Sequence, residues 1–399
     1  MTYSADVIVV GAGPVGLCLA ALLAEHGIEV LVLEAEADIE RDLRASTFHP
    51  PTLDMLDRIG VTPQLLKQGL ICPSWQIRWH PQGDRAVFDL SVLSDVTAHP
   101  YRLQVEQWKL SLQLRGLVEA APAAKLRFNA PVYRVELHED GAVVFVNGPD
   151  GPDKLRARYV VGCDGSRSVV RQSLGLSFEG NTYPETTILA TTTFPFEEHL
   201  EGLSNVTYCW KEQGQFSLLR VPGRWRVSIY PREDVPLEEQ LTSESLQASF
   251  QSIVPRAVPY DVGERRSYRV HMRIASSFRC GRALIAGDAA HLNAPSGGMG
   301  LNGGIHDAFE LAEALNKVLR EGAADSRLDL YDRRRRSVVQ EDIIQQADRN
   351  RARMRERDPE SRRAILSGLQ AVTADRDRVY DHLLRSSMIA GLRRAASIN

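Results

Sequence analysis

Gly11, Gly13 and Gly16 follow directly on the apolar run Val7 to Val10, and a mostly apolar stretch from Leu17 to Ala24 comes after them. A buried strand, a tight turn and a helix in that order make a phosphate cradle. Gly11 permits the turn, Gly13 lets the backbone approach a pyrophosphate, Pro14 and Val15 open the helix, and Gly16 lets that helix lie close to the strand. The helix N-terminus then points its unpaired amides at the phosphates. Val30 to Leu33 form a second buried strand that ends in Glu34, where a carboxylate can take ribose hydroxyls and would repel a 2′-phosphate. The nucleotide is FAD or NAD; this stretch alone leaves both open.

Two further segments carry chemistry. Tyr159 to Gly162 read as a buried strand that runs into the turn Asp164-Gly165, and a helix with Ser168 near its start carries Arg171 on its first turns. Ala283 to Asp288 read as another buried strand, and the glycine-rich stretch Gly297 to Gly304 lies between it and a helix with Ala308, Leu311, Ala312 and Leu315 on one face. The glycine spacing there differs from the first, so this is not a second dinucleotide fold. An extended cofactor reaching from Gly13 to Asn302 would have its adenosine end at the first segment. Asp288 would then bind the hydroxyls of a sugar-like linker, and the aligned amides at Gly300, Leu301 and Asn302 would stabilise negative charge on a ring. A ribityl chain and an anionic reduced flavin make those demands, which favours FAD.

These segments need a scaffold, and the rest of the chain supplies one. The chain has 399 residues, 43% of them hydrophobic, enough for two or three domains with a sizeable core. A net charge of -3 offers no footprint for nucleic acid. Arg333 to Arg336 is the only basic run and reads as a solvated helix face. No targeting segment is visible, and no stretch reaches the ~18 uninterrupted apolar residues of a membrane span. The five cysteines are scattered without a C-x-x-C pair, which argues against a disulfide framework or a zinc site and suits a reducing cytoplasm.

Thr52 is placed to cap a helix bearing Leu53, Leu56 and Ile59, which stops at Gly60. Trp75 to His80 and Arg85 to Leu90 flank a Pro/Gly/Asp turn and predict a hairpin, with Trp75 and Trp79 on one packed side. A strand over Tyr101 to Val105 and a helix from Gln107 to Ala121 follow. From Thr186 to Tyr230 the residues Thr, Val, Phe, Tyr and Trp dominate between glycine breaks, which predicts a run of antiparallel strands. From Leu328 onward the pattern is helical and arginine-rich, interrupted near Asp358-Pro359.

The fold class is therefore α/β: a Rossmann-like FAD-binding domain with an inserted antiparallel-sheet substrate domain and C-terminal helices. Stretches 1–72, 101–180 and 273–327 belong to the first, 73–100 and 181–272 to the second, and 328–399 form the helical segment.

Gly-Ala-Gly-Pro-Val-Gly at 11 to 16, Cys-Asp-Gly-Ser-Arg-Ser-Val-Val-Arg at 163 to 171, and Gly-Asp-Ala-Ala-His…Pro…Gly-Gly-Met-Gly-Leu-Asn at 287 to 302 resemble the three signatures of the single-component, class A FAD-dependent aromatic hydroxylases, the para-hydroxybenzoate hydroxylase family. Arg44-Ala45 with the later Pro-Pro-Thr resembles the subset acting on nitrophenols and hydroxypyridines. The resemblance implies that Gly11, Gly13, Gly16 and Glu34 bind the ADP half of FAD, with the Val132 backbone near adenine. It further implies that Arg44 and Gln107 meet the flavin's central region, and that Asp164 serves both FAD and the transient NADH or NADPH. Asp288 would contact the linker, Pro295 would lie beside the isoalloxazine, and Gly300, Leu301 and Asn302 would sit at its pyrimidine edge.

The implied reaction hydroxylates a small hydroxylated aromatic with dioxygen through a flavin hydroperoxide. It requires a group that helps a phenol ionise; His49, Tyr208 and Tyr230 are the candidates, His49 for its titration near neutral pH. His291, within the third signature, reads as structural. The family's longer members carry an extra C-terminal domain that is not apparent here; the last helices would pad the FAD domain or a homodimer face. A second reading remains, that of a non-oxygenating FAD reductase or a ligand-sensing flavin-binding protein. It predicts bound FAD with no oxygenated product.

Overall fold

The computed structural model describes residues 4–42, 45–149, 151–232 and 234–399. The strand Ala5–Val10 lies at the centre of the first sheet, because Val7, Ile8 and Val9 have no exposed surface and need cover on both faces. It pairs in parallel with Val30–Leu33 on one side and Gly151–Gly162 on the other, with Val7 opposite Val30 and Tyr159. Ala124–Arg127 and Ala283–Ile285 extend the parallel set outward. The antiparallel strands Gly141–Gly148 and Val132–His138 branch from Gly151–Gly162.

Helix Pro14–Glu25 is apolar almost all round and buried from Gly16 to Ala24, as expected of a helix packed on several sides. It packs against both Gln107–Ala120 and the long helix Met299–Leu319. Proline accounts for one difference from expectation. Pro50 starts the next helix, so His49 is its N-cap and Thr52 lies inside the helix, where its hydroxyl bonds His306 Nε2 at 2.9 Å instead of capping.

The second sheet has eight strands, in the order His291–Leu292, Arg265–Ala275, Phe178–Thr192, Arg224–Ile229, Gln215–Val221, Val206–Trp210, Ser74–Trp79 and Arg85–Asp89. All its pairings are antiparallel except that of Val206–Trp210 with Ser74–Trp79. The hairpin formed by the last two strands thus joins the same sheet as the later antiparallel run. Trp75 and Trp79 are buried, and Trp75 stacks on Phe88 at 4.2 Å beneath the C-terminal helices. Phe178–Thr192 and Arg265–Ala275 pair with each other, so the expected limits 180/181 and 272/273 fall inside strands rather than in linkers.

The back of this sheet, with Phe216, Leu218, Trp225 and Val227, packs on Phe250 from helix Ser243–Gln251. Thr47–Phe48, Arg102–Gln104 and Leu70–Cys72 form a separate three-stranded sheet in that order. From Arg327 the chain is helical, with a π-helical stretch at Val339–Ile344 and a helix that Asp358 caps ahead of Pro359.

Candidate active site

The three glycines of the first turn have distinct geometric reasons. Gly11 adopts φ +101°, and a Cβ there would stand 2.5 Å from the Cys163 carbonyl oxygen. A Cβ on Gly16 would stand 2.0 Å from the Gly11 oxygen, whereas one on Gly13 would meet no protein atom within 4 Å. Only Gly13 faces open space. Pro14 at the first helical position has no N–H, and the Leu17 amide bonds the Gly13 carbonyl at 3.0 Å. The amides of Val15 and Gly16 are thus left for an anion. Glu34 closes its strand with one carboxylate oxygen on the Ala12 amide at 2.6 Å and the other on the Glu36 amide at 3.0 Å.

The second segment places Asp164 under the same turn. One of its oxygens accepts from the Val170 amide at 3.1 Å; the other, Oδ1, is buried with no partner among the described residues. Burial pushes its carboxyl pKa up, against hydrogen bonds from Ser168 and Val170. A buried acceptor in that state has room for a donor from a ligand.

The third segment turns at Gly297 (φ +97°) and Gly298 (φ +68°) to start helix Met299–Leu319. Asn302, on the first turn and fully buried, bonds the carbonyls of Thr47 at 2.9 Å and Gly298 at 2.6 Å and accepts the His49 amide at 2.9 Å. Its side chain joins the chain around His49 to this helix. It leaves the amides of Met299, Gly300 and Leu301 at the helix mouth unpaired within the helix.

These parts open onto one cavity of about 1540 Å³. That exceeds the roughly 300–1,000 Å³ of a single small-ligand site, leaving space for a cofactor ring system and a substrate together. Gly13, Pro14, Val15, Gln107, Asp288, Pro295, Gly300 and Leu301 line it on the nucleotide side, and Tyr208 and Tyr230 on the sheet side. Gly11, Gly16, Glu34, Asp164 and Asn302 do not line it, and Val132 starts a branch strand of the first sheet. Arg44 lies outside the described residues. Gly13, the free amides of two helix mouths and the unpartnered Asp164 oxygen fit an extended dinucleotide.

His49 is corrected. It is fully buried, its Nε2 lies 2.7 Å from the Gly297 carbonyl, and it is absent from the cavity wall. Burial, then the Arg102 charge, pushes its pKa well below the usual histidine range, so it stays neutral and holds the Gly297 turn. The basic run is corrected too. Arg335 is 1% exposed, and its Nε bonds Asp307 Oδ1 at 2.7 Å. His291 does have structural contacts, with Nε2 2.8 Å from the same carboxylate.

On the sheet side, sequence reasoning named Tyr208 and Tyr230 but missed their polar neighbours. Along Arg224–Ile229 and on to Tyr230, Trp225, Val227 and Ile229 pack in or against the core, while Arg226, Ser228 and Tyr230 line the cavity. Thr187, Ser217 and Tyr268 do the same on neighbouring strands. The signal was the period-two alternation in Trp-Arg-Val-Ser-Ile-Tyr, which marks a sheet with one polar face. Tyr208 lies opposite Ser217, and Ser217 opposite Ser228, giving a hydroxyl row across three strands. Burial raises the pKa of Tyr230 and of Tyr268, which keeps both phenols protonated at neutral pH.

Among the described residues, no helix is long and apolar enough to cross a membrane, and no group of three His, Cys, Asp or Glu could hold a metal. The family model described as an FAD binding domain matches residues 4–347. The chain is 37% identical over 360 residues to para-nitrophenol 4-monooxygenase of Pseudomonas sp. (strain WBC-3), covering 89% of each. It is 31% identical to a 6-hydroxy-3-succinoylpyridine 3-monooxygenase of Pseudomonas putida, covering 96% of this chain and 98% of that one. Its fold matches the crystal structure of p-nitrophenol 4-monooxygenase from Pseudomonas putida DLL-E4 with a TM-score of 0.91 at 33% identity, over 99% of both chains.

Proposed function

The chain belongs to the FAD-binding family of class A aromatic hydroxylases, and from that premise we propose that its substrate is a small aromatic with an ionisable ring hydroxyl, in the nitrophenol and hydroxypyridine range. Membership makes it a flavoprotein monooxygenase rather than a reductase or a ligand sensor. The observation that carries the substrate reading is the cavity itself. On one side is a helix mouth with free amides at Gly300 and Leu301; on the other is a sheet face of phenols and hydroxyls, Tyr208, Tyr230, Tyr268, Ser217 and Ser228.

FAD, when bound, supplies the redox chemistry, taking electrons from NADH or NADPH and activating dioxygen for transfer of one oxygen atom to the ring. The protein's part is positional. Gly13 and the amides of Val15 and Gly16 would take the pyrophosphate, Glu34 the ribose, and Asp164 and Asp288 the region between the two helix mouths. Gln107 and Pro295 would flank the ring system, and the amides of Gly300 and Leu301 would hold negative charge at its edge. The sheet face would orient the substrate hydroxyl, and the cavity would keep water from the reacting atoms. Tyr208 is the assigned partner of that hydroxyl. The reading extends to a cytoplasmic enzyme acting on a diffusible substrate, with a homodimer as its oligomeric form.

The test is oxidation of NADH and NADPH by the purified yellow protein with a panel of nitrophenols and hydroxypyridines, following oxygen uptake and product mass. The expected result is nicotinamide oxidation accelerated by one ring class and a product heavier by one oxygen atom. Turnover that yields only hydrogen peroxide with every panel member would overturn the substrate class.

A further inference from the structure

The turn Pro295-Ser296-Gly297-Gly298 borders the cavity through Pro295, Ser296 and Gly298. The Gly298 amide bonds the Pro295 carbonyl at 3.0 Å, and Gly297 at the third position has φ +97°. That is a type II turn. Rotating its central peptide, between Ser296 and Gly297, by half a turn gives the type I form with the same closing bond, and glycine accepts both. The rotation exchanges the Ser296 oxygen and the Gly297 N–H between the two faces of the turn. The next two peptides are fastened, by His49 at the Gly297 oxygen and by Asn302 at the Gly298 oxygen. Neither bond reaches the central peptide.

Asn350 does reach it. Its Nδ2 lies 3.4 Å from the Ser296 oxygen, the one side-chain hydrogen bond to that oxygen among the described residues, and would stand 2.8 Å from a Cβ on Gly297. A side chain at Gly297 would therefore displace Asn350. Gln346, 8% exposed and one helical turn earlier, donates to Asn350 Oδ1 at 2.9 Å, and Arg349 donates to the Gln346 oxygen at 3.3 Å. With Oδ1 taken up in this way, the Asn350 NH2 group faces the turn. Ala347, Asn350, Arg351 and Met354 share one face of helix Gln345–Arg355 by spacing. Ala347 packs on Val270, Met272 and Ala294, while Arg351 and Met354 line the cavity. The π-helical stretch Val339–Ile344 just before this helix sets which face that is, since one residue more or fewer would rotate it by roughly 100°. This helix is thus a wall of the site as well as cover for the first domain.

We propose that Asn350 is a positioning residue: it holds the turn in its type II form, with the Ser296 oxygen on the helix side and the Gly297 N–H directed the opposite way. This rests on the hydroxylase reading above, which puts the isoalloxazine beside Pro295. A donor rather than an acceptor on the ring's side favours the negative charge that the ring gains on reduction.

The experiment measures the reduction potential of FAD bound to the full chain, without substrate, for the wild type and the uncharged variants Asn350→Leu, Asn350→Ala and Gln346→Leu. Replacing Asn350 should shift the potential to more negative values. Gln346→Leu, which leaves the Asn350 amide present but unoriented, should shift it less in the same direction. A role for Asn350 in packing alone would lower the thermal midpoint and leave the potential where it is. A potential equal to that of the wild type after replacement of Asn350 overturns the proposal, as does a shift to more positive values. If Asn350→Leu does not fold, Asn350→Ala decides in the same way. With an aromatic that the wild type oxygenates, kcat for product should fall about tenfold at unchanged KM. An effect confined to KM also overturns the proposal. The potentials need no aromatic, so they decide the role of Asn350 even where the wild type oxygenates no panel member, the result that overturns the substrate reading beneath it.

Discussion

Asp307 and Arg335 form an ion pair with no access to solvent: Oδ1 and Nε are 2.7 Å apart, and the side chains are 0% and 1% exposed. The other oxygen of Asp307 accepts the Gly287 amide at 3.0 Å and meets His291 at 2.8 Å. One carboxylate therefore anchors a C-terminal helix and both ends of the loop that holds Asp288. Asp307→Asn leaves Arg335 buried without its counter-charge, which costs about 3–5 kcal/mol. The expected outcome is a markedly lower thermal midpoint, with flavin released before the chain unfolds. Calorimetry alongside flavin fluorescence checks both; flavin retained up to an unchanged midpoint would refute the linkage.

Four histidines, three of them buried and His382 half-buried, set the acid limit of stability. Burial lowers the pKa of His306 to about 3 and of His80 and His382 to about 4, helped by Arg335, Lys211 and Arg353 respectively; His49 is held well below the usual range. Each is a base whose folded value lies below its unfolded value of roughly 6.5. Between those values the unfolded chain binds more protons, so stability is complete above about pH 6.5 and falls as the solution is acidified. Denaturant midpoints taken stepwise from neutral to mildly acidic pH should decline throughout. His306→Gln should flatten the slope by up to about 1.4 kcal/mol per pH unit. Parallel slopes for variant and wild type would count against it.

How much of this was legible in the sequence depended on distance along the chain. The Gly11, Gly13 and Gly16 turn could be read because its geometry is local: the close contact of Gly16 is with Gly11 itself. His49 was misread because its partners Gly297 and Asn302 lie at the far end of the chain, and nothing near position 49 announces them. Arg335 looked solvated within a run of four arginines, since charge composition cannot tell which member turns toward a buried aspartate. The polar wall of Arg226, Ser228 and Tyr230 was written in period-two alternation, but an alternating strand does not show whether its polar face meets water or a ligand.

Asn302 joins two remote segments through three hydrogen bonds, to Thr47, Gly298 and His49, the bonds to Thr47 and His49 fully buried. Asn302→Ala strands two carbonyls and an amide at a cost of about 2–4 kcal/mol, taking each bond at roughly 1 kcal/mol or somewhat more. The loss falls on the helix mouth where the flavin's edge would lie. Weaker flavin retention is therefore expected together with reduced stability, and Asn302→Asp should recover only the His49 bond. Equilibrium dialysis of FAD against each variant measures this, and equal affinity in all three proteins would exclude a role for the clamp in cofactor binding.

Gly13 and Gly16 separate cofactor binding from folding within a single turn. A methyl at Gly16 would lie 2.0 Å from a backbone oxygen that cannot yield, so Gly16→Ala overpacks the strand–helix contact by about 3 kcal/mol or more. A methyl at Gly13 meets no protein atom within 4 Å, and Gly13 is extended at φ -69°, which any residue adopts. Gly13→Ala should therefore fold with the wild-type circular dichroism and thermal midpoint of the apoprotein. Its cost appears only when a pyrophosphate must approach the backbone there, as a loss in FAD affinity of tenfold or more, about 1.4 kcal/mol. If Gly13→Ala binds FAD like the wild type, the phosphates do not pass over Gly13. If it fails to fold, the open space beside it is not the reason glycine stands at that position.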